Sequence, residues 1–110
     1  MEGFIKGDVV IVPFPFSDLS NFKKRPALVI SPLKGEDLIL CQITSQKIFD
    51  NYAVGINNED FASGSLKVKS NVRPNRIFTA DKKIILYKIG YLSKEKIAEI
   101  INRIIEIVKN

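Results

Sequence analysis

The sequence contains no histidine and no tryptophan, and only one cysteine in 110 residues. Without histidine, acid and base chemistry falls to Asp, Glu, Lys, Arg, Tyr or hydroxyl groups, and a histidine-based nuclease or esterase is excluded. With Cys41 as the lone thiol, neither a zinc cluster nor an internal disulfide can form. Cys41 lies inside the apolar run LILCQI, where a free thiol serves as a small core hydrophobe, so a reducing, cytoplasmic setting is expected. Glycine-rich phosphate loops of the Walker or dinucleotide-binding type are absent. Composition leaves a carboxylate-only Mg²⁺ site open, but the twelve Asp and Glu residues form no recognisable cluster, and neither a metal nor a cofactor is expected. No window approaches the roughly 18 apolar residues of a membrane span, and MEGFIKGDVV lacks the features of a secretory leader. A soluble, unprocessed chain with no membrane partner is the expectation.

What remains is ordinary for a globular protein: 45% hydrophobic and 26% charged residues, enough for one core and one domain over residues 1–110. The net charge of +5 is unevenly placed. Residues 1–60 carry six Lys and Arg against eight Asp and Glu, whereas residues 61–110 carry eleven against four. Between Lys67 and Lys88 seven cations face only Asp81, a footprint suited to a polyanion such as RNA or DNA.

Apolar runs of strand length recur through the first 92 positions. DVVIVPFPF (8–16) starts as a strand, but Pro13 and Pro15 cannot donate to a ladder, so its end must lie at an edge or leave the sheet. PALVIS and LILCQITS are near-continuous buried strands joined by a hairpin connection in which Gly35 supplies a positive φ. YAVGI (52–56) is a weaker strand, and NNEDFASGS after it is a turn-rich loop. SLKVKSNV alternates apolar and cationic residues, which predicts a strand with Lys67 and Lys69 on its open face. IILYKIGYL is a last strand, bulged at Gly90.

From Ser93 the period changes. Ile97, Ile100, Ile101, Ile104, Ile105 and Val108 follow helical spacing, with Ser93 as N-cap, and Ile107 widens the apolar face enough to contact a second subunit. Many short strands and one terminal helix give an α+β chain that is mainly β: a small, strongly bent antiparallel sheet or barrel.

Three segments can carry chemistry. In KKRPALVIS, Pro26 restricts Arg25 to extended backbone, so its guanidinium projects from a fixed root, while Lys23 and Lys24 serve equally well as solubilising charges. In CQITS, Thr44 and Ser45 stand where a strand leaves the core, placed to donate to a phosphate oxygen or simply to form a turn. In SNVRPNRIFTADKK, Arg73 also precedes a proline, and Asn75 and Arg76 come directly after it. Two proline-anchored arginines supply the geometry that clamps a phosphodiester, the plainer alternative being a basic turn between strands.

Taken in order, GDVVIVPFPFSD, KRPALVIS, QITS, SNVRPNRIFTADK and KIGYLS before an amphipathic helix resemble the MazF/PemK family of toxin–antitoxin ribonucleases, over almost the whole chain. The resemblance implies an SH3-like barrel of the CcdB/MazF/PemK kind, a homodimer, and metal-independent cleavage of single-stranded RNA by 2′-hydroxyl attack. It also implies a cognate acidic antitoxin that occupies the basic groove. Family members use an arginine and a threonine that map onto Arg25 and Thr44. PemK-type members add an arginine and an aspartate that map onto Arg73 and Asn75.

The chain departs from that pattern in two places: residue 75 is an amide that cannot accept a proton, and the first loop has no histidine. Catalysis is therefore expected from Arg25, Thr44 and Arg73, with Lys24, Ser45, Lys67, Lys69, Asn75 and Arg76 binding substrate. Two other functions fit the same barrel: a non-catalytic nucleic-acid-binding module, and an interaction toxin that poisons a topoisomerase. The loops at 14–24 and 46–64 are candidates to close over the site.

Overall fold

The apolar runs fold into seven strands, all antiparallel, in a computed structural model that describes residues 3–14 and 23–110. They are β1 (Asp8–Phe14), β2 (Lys23–Pro32), β3 (Asp37–Thr44), β4 (Val54–Ile56), β5 (Phe61–Gly64), β6 (Ser70–Asp81) and β7 (Tyr87–Leu92). Helix α1 (Lys94–Lys109) closes the chain. The strands form one curled sheet in the order β4-β6-β3-β2-β1-β7-β5. This is the bent, mainly β architecture with a terminal helix that the residue pattern predicts.

The near-continuous apolar runs have a simple cause: the central strands are covered on both faces. Val9, Leu28, Cys41 and Ile43 face one cluster, which is capped by Ile97 and Ile100 of α1. Their immediate neighbours Val10, Ala27, Val29 and Leu40 face a second cluster, against which Phe4, Phe78 and Ile85 pack. Each fully buried Leu or Ile contributes about 1.5–3 kcal/mol. Both sets point inward, so strict polar alternation has no place in β1 to β3.

Ser93 caps α1 as expected, its hydroxyl accepting from Lys96 N at 3.2 Å. The helix's apolar face is only partly used. Ile97 and Ile100 are buried and Ile101 and Ile104 pack against the core, but Ile105 is 46% and Val108 71% exposed.

Several local expectations are corrected. NNEDFASGS is not simply a loop: Asn57 caps a short 3-10 turn at Asn58–Asp60, and β5 comes directly after it to pair with β7. SLKVKSNV is not one strand, because 65–69 pairs with no neighbour and β6 begins only at Ser70. The segment around Arg73 is no turn; it lies within the twelve-residue strand β6. Of IILYKIGYL, only Tyr87–Leu92 is strand, since Lys82–Ile84 forms a 3-10 turn.

Other expectations hold. Gly35 turns the β2–β3 hairpin at φ 84°. The register of β1 on β7 slips so that Ile89, beside Gly90, is the extra residue. Pro13 sits where β1 pairs with β2 alone, since the β7 pairing stops at Ile11 and Tyr87. Pro15 lies outside the described residues, as does most of 14–24.

Asp8 explains why a carboxylate can start a core strand. It is fully buried, its Oδ2 accepting from Ile5 N at 2.9 Å and its Oδ1 lying 3.2 Å from Lys88 Nζ. The Lys88 contact is coulombic, with no hydrogen-bond geometry at Oδ1, and it ties β1 to β7 across the sheet. Among the described residues, no helix is long and apolar enough to cross a membrane.

Candidate functional site

The site forms where the β2–β3 ladder runs out. Ala27 pairs with Gln42, and continuing that register by two residues sets Arg25 against Thr44 beyond the paired region. At Pro26 the missing N–H costs nothing on the β3 side, where pairing has not yet begun. Arg25 thus projects from extended backbone braced by β1 alone, opposite Val12.

On the other side of β3, strand β6 bulges. Ile43 pairs with Val72 and Cys41 with Ile77, so residues 73–76 all stand opposite Gln42. A bulge of this size tolerates Pro74 inside a strand and aims Arg73 and Arg76 away from the ladder. The Cys41 thiol donates to the Arg73 carbonyl at 2.9 Å, giving the displaced backbone a partner. Burial pushes the thiol up to about 12, so Cys41 is a structural donor and no nucleophile.

These two irregularities bring Arg25, Thr44, Arg73 and Arg76 around one polar cavity of about 160 Å³, together with Gln42 and Gln46. Arg25 and Arg76 make no ion pair among the described residues. Gln46 N donates to Thr44 Oγ1 at 3.1 Å, which fixes the hydroxyl oxygen and leaves its proton free to donate. Three guanidiniums and one oriented hydroxyl are complementary to a phosphate.

Arg73 is held from behind. Its Nη2 donates to Asp50 Oδ2 at 3.1 Å, while its Nε is buried without an acceptor among the described residues. A donor left in that condition costs about 1–3 kcal/mol. Asp50 Oδ1 accepts from Tyr52 N at 2.9 Å and Ala53 N at 3.1 Å. Desolvation works to raise the Asp50 pKa, but the Tyr52 amide, the Arg73 guanidinium and the Ala53 amide together outweigh it and hold the carboxyl below its ordinary 3.8.

That direction sets the sign for stability. A depressed carboxyl contributes fully above its unfolded pKa, here the ordinary 3.8, and loses the contribution as pH falls through the lower folded value. Asp50→Asn is expected to flatten the acid limb of a Tm-against-pH curve below that point while leaving its shape at neutral pH unchanged. Equal acid limbs in both proteins would refute the assignment.

A second, larger groove of about 530 Å³ shares Arg25 and Thr44 with the first. Its floor is apolar, with Pro26, Ile43 and Leu66, and its rim carries Lys24, Ser45 and Lys67. Tyr87 lines it, 48% exposed, with Lys24 Nζ 5.8 Å from the ring centre. Of the nine residues the sequence nominates, seven line one or both cavities. Lys69 and Asn75 are exposed and line neither.

Sequence reasoning missed Tyr87, Gln42, Gln46 and Asp50. Tyr87 had a signal, an aromatic among cations at the end of the basic window. Asp50 had none, since 23 positions separate it from Arg73. Part of the 46–64 loop does approach the site, through Gln46 and Ile48. Among the described residues, no three His, Cys, Asp or Glu side chains gather as a metal site would need.

The fold has solved relatives. An endoribonuclease in complex with its cognate antitoxin, from a mycobacterial species, aligns with a TM-score of 0.77 at 14% identity, over 97% of this chain and 96% of the other. MazF in a MazE–MazF complex from Deinococcus radiodurans gives 0.77 at 19% identity, over 96% of each chain. A further mycobacterial endoribonuclease gives 0.75 at 16%, over 99% of this chain and 94% of the other. At such identities the likeness is one of fold. A search of curated proteins returns no match. The sequence profile of the PemK-like, MazF-like toxins matches residues 5–108. With a match over nearly its whole length, the chain belongs to the PemK-like, MazF-like toxins of type II toxin–antitoxin systems.

Proposed function

We propose that this toxin cleaves single-stranded RNA without a metal, by attack of a ribose 2′-hydroxyl on the adjacent phosphate. The observation that carries the reading is the convergence of Arg25, Thr44, Arg73 and Arg76 on one polar cavity of about 160 Å³ beside a basic groove. The 2′-oxygen forms a bond to phosphorus as the bond to the 5′-oxygen breaks. The 2′-proton passes to solvent water and the departing 5′-oxygen takes a proton from solvent, leaving a 2′,3′-cyclic phosphate and a 5′-hydroxyl.

A guanidinium is a fixed cation with planar, directed N–H donors, which suits Arg25 and Arg73 to stabilising the extra negative charge on the pentavalent phosphorus. Thr44, with its oxygen fixed by Gln46, orients a non-bridging oxygen. In the larger groove a neighbouring base stacks on Tyr87, while Lys24, Ser45 and Lys67 hold backbone and base edges. Asn75 and Lys69, on the outer surface, reach only flanking nucleotides.

The same basic face suits a cognate antitoxin whose acidic segment folds into the groove and blocks RNA. A second copy of the chain completes the assembly, and the exposed Ile105 and Val108 of α1 are available to such a contact.

Purified protein incubated with a long single-stranded RNA and EDTA is expected to yield new 5′-hydroxyl ends at a short recurrent sequence. Salt-dependent binding with no new ends would instead establish a non-catalytic RNA-binding module. Neither binding nor cleavage would leave the interaction-toxin reading. Tyr87→Ala is expected to weaken RNA binding by roughly 10- to 100-fold, the range of a lost stacking platform. An unchanged Kd would remove the base from that groove.

A further inference from the structure

We propose that Asp50 is a positioning residue for Arg73, fixing the second guanidinium of the clamp from behind. The inference rests on the proposed reading of the site as a phosphodiester clamp. Its ground is a division of labour within one carboxylate. Oδ1 is tied to the loop's own backbone through the Tyr52 and Ala53 amides, so the carboxylate cannot turn without breaking two hydrogen bonds. Oδ2 is thereby presented to Arg73 Nη2 at 3.1 Å.

The arginine is anchored at its root as well. Its carbonyl receives the Cys41 thiol, and Pro74 restricts its backbone. Held at both ends, Arg73 donates Nη2 to Asp50 while it lines the cavity. Asp50 itself does not line that cavity, so it acts through Arg73 and not on the substrate. Asn75, the nearer residue in sequence, is exposed and carries no charge with which to hold a guanidinium.

A rival arrangement uses the same contact in the opposite sense, with Asp50 neutralising Arg73 until RNA displaces it. Removing the charge slows cleavage in the first arrangement and speeds it in the second. Asp50→Asn keeps an oxygen acceptor for the Tyr52 and Ala53 amides and removes both the charge and the acceptor that face Arg73. If Asp50 positions Arg73, kcat for RNA cleavage falls about tenfold while KM moves by less than about twofold. In an Arg73→Ala background the same substitution then has no further effect, because the two act as one unit.

A gain in rate, or equal losses in both backgrounds, overturns the proposal. A second readout does not depend on cleavage: the Arg73 Nε–H resonance, observed by 15N relaxation in the intact protein, is expected to become more mobile in Asp50→Asn. Unchanged mobility overturns the positioning role even if RNA is cut. Absence of cleavage by the wild-type protein overturns the ribonuclease reading instead.

Discussion

Arg25→Ala is expected to lower the rate of RNA cleavage by about 10²–10³-fold, the usual effect of removing one preorganised transition-state donor. Arg25 is not part of either buried cluster and makes no ion pair among the described residues, so the fold should survive the change, with Tm shifted by no more than about 4 °C. Arg25→Lys is expected to recover little, because a point charge on a flexible stem cannot reproduce a planar fork. Thr44→Ala should cost less, since the neutral hydroxyl orients a phosphate that the guanidiniums already hold. Product release from a folded Arg25→Ala protein at the wild-type rate would show that the reacting phosphate lies elsewhere.

Gly64→Ala is expected to cost about 3 kcal/mol or more of stability, and to disable the site from a distance. Gly64 has φ 71°, a conformation other residues adopt only with strain, and an added Cβ would lie 2.1 Å from the Ile89 carbonyl oxygen and 2.6 Å from Gly90 Cα. Both neighbours are backbone of β7, so no side chain can swing aside. The chain must then open the β5–β7 pairing. That pairing carries the consequence to function, because Ser65, Leu66 and Lys67 lead directly from Gly64 into the wall of the larger groove, and Tyr87 begins β7. Chemical denaturation should show a lower midpoint. Circular dichroism at low temperature should still show a β-rich spectrum. A wild-type midpoint would mean the close approach of β5 and β7 is not maintained in solution.

The arginine pair shows how a short basic sequence becomes a site. Neither Arg-Pro step is specific on its own. Their meaning comes from two breaks in one ladder: β2 overhangs β3 by a few residues, and β6 loops four residues past Gln42. The prolines are compatible with these breaks and with little else in a sheet interior, which links the sequence motif to the geometry. Asp50 then supplies the acidic partner that residue 75 does not.

Much of this protein was legible in the residue order. The apolar runs determined β1, β2, β3 and α1, because burial on both faces of a central strand and on one face of a helix leaves an unmistakable pattern. That Arg25, Thr44, Arg73 and Arg76 were candidates was legible for a related reason, since a proline beside a cation or a hydroxyl at a strand end restricts what the backbone can do there; the fold adds that they line one cavity. The short strand β5 was hidden, because four residues ending in Ser-Gly pair only when β7 is already in place to receive them. Lys67 and Lys69 were misassigned to a strand because alternation describes a surface, and 65–69 has no neighbour to pair with. The Asp50–Arg73 contact, and the place of Tyr87 in the wall of the larger groove, were decided by tertiary structure alone. Register and loop closure bring together residues whose separation in sequence carries no information, and only the folded sheet sets how far a side chain can reach.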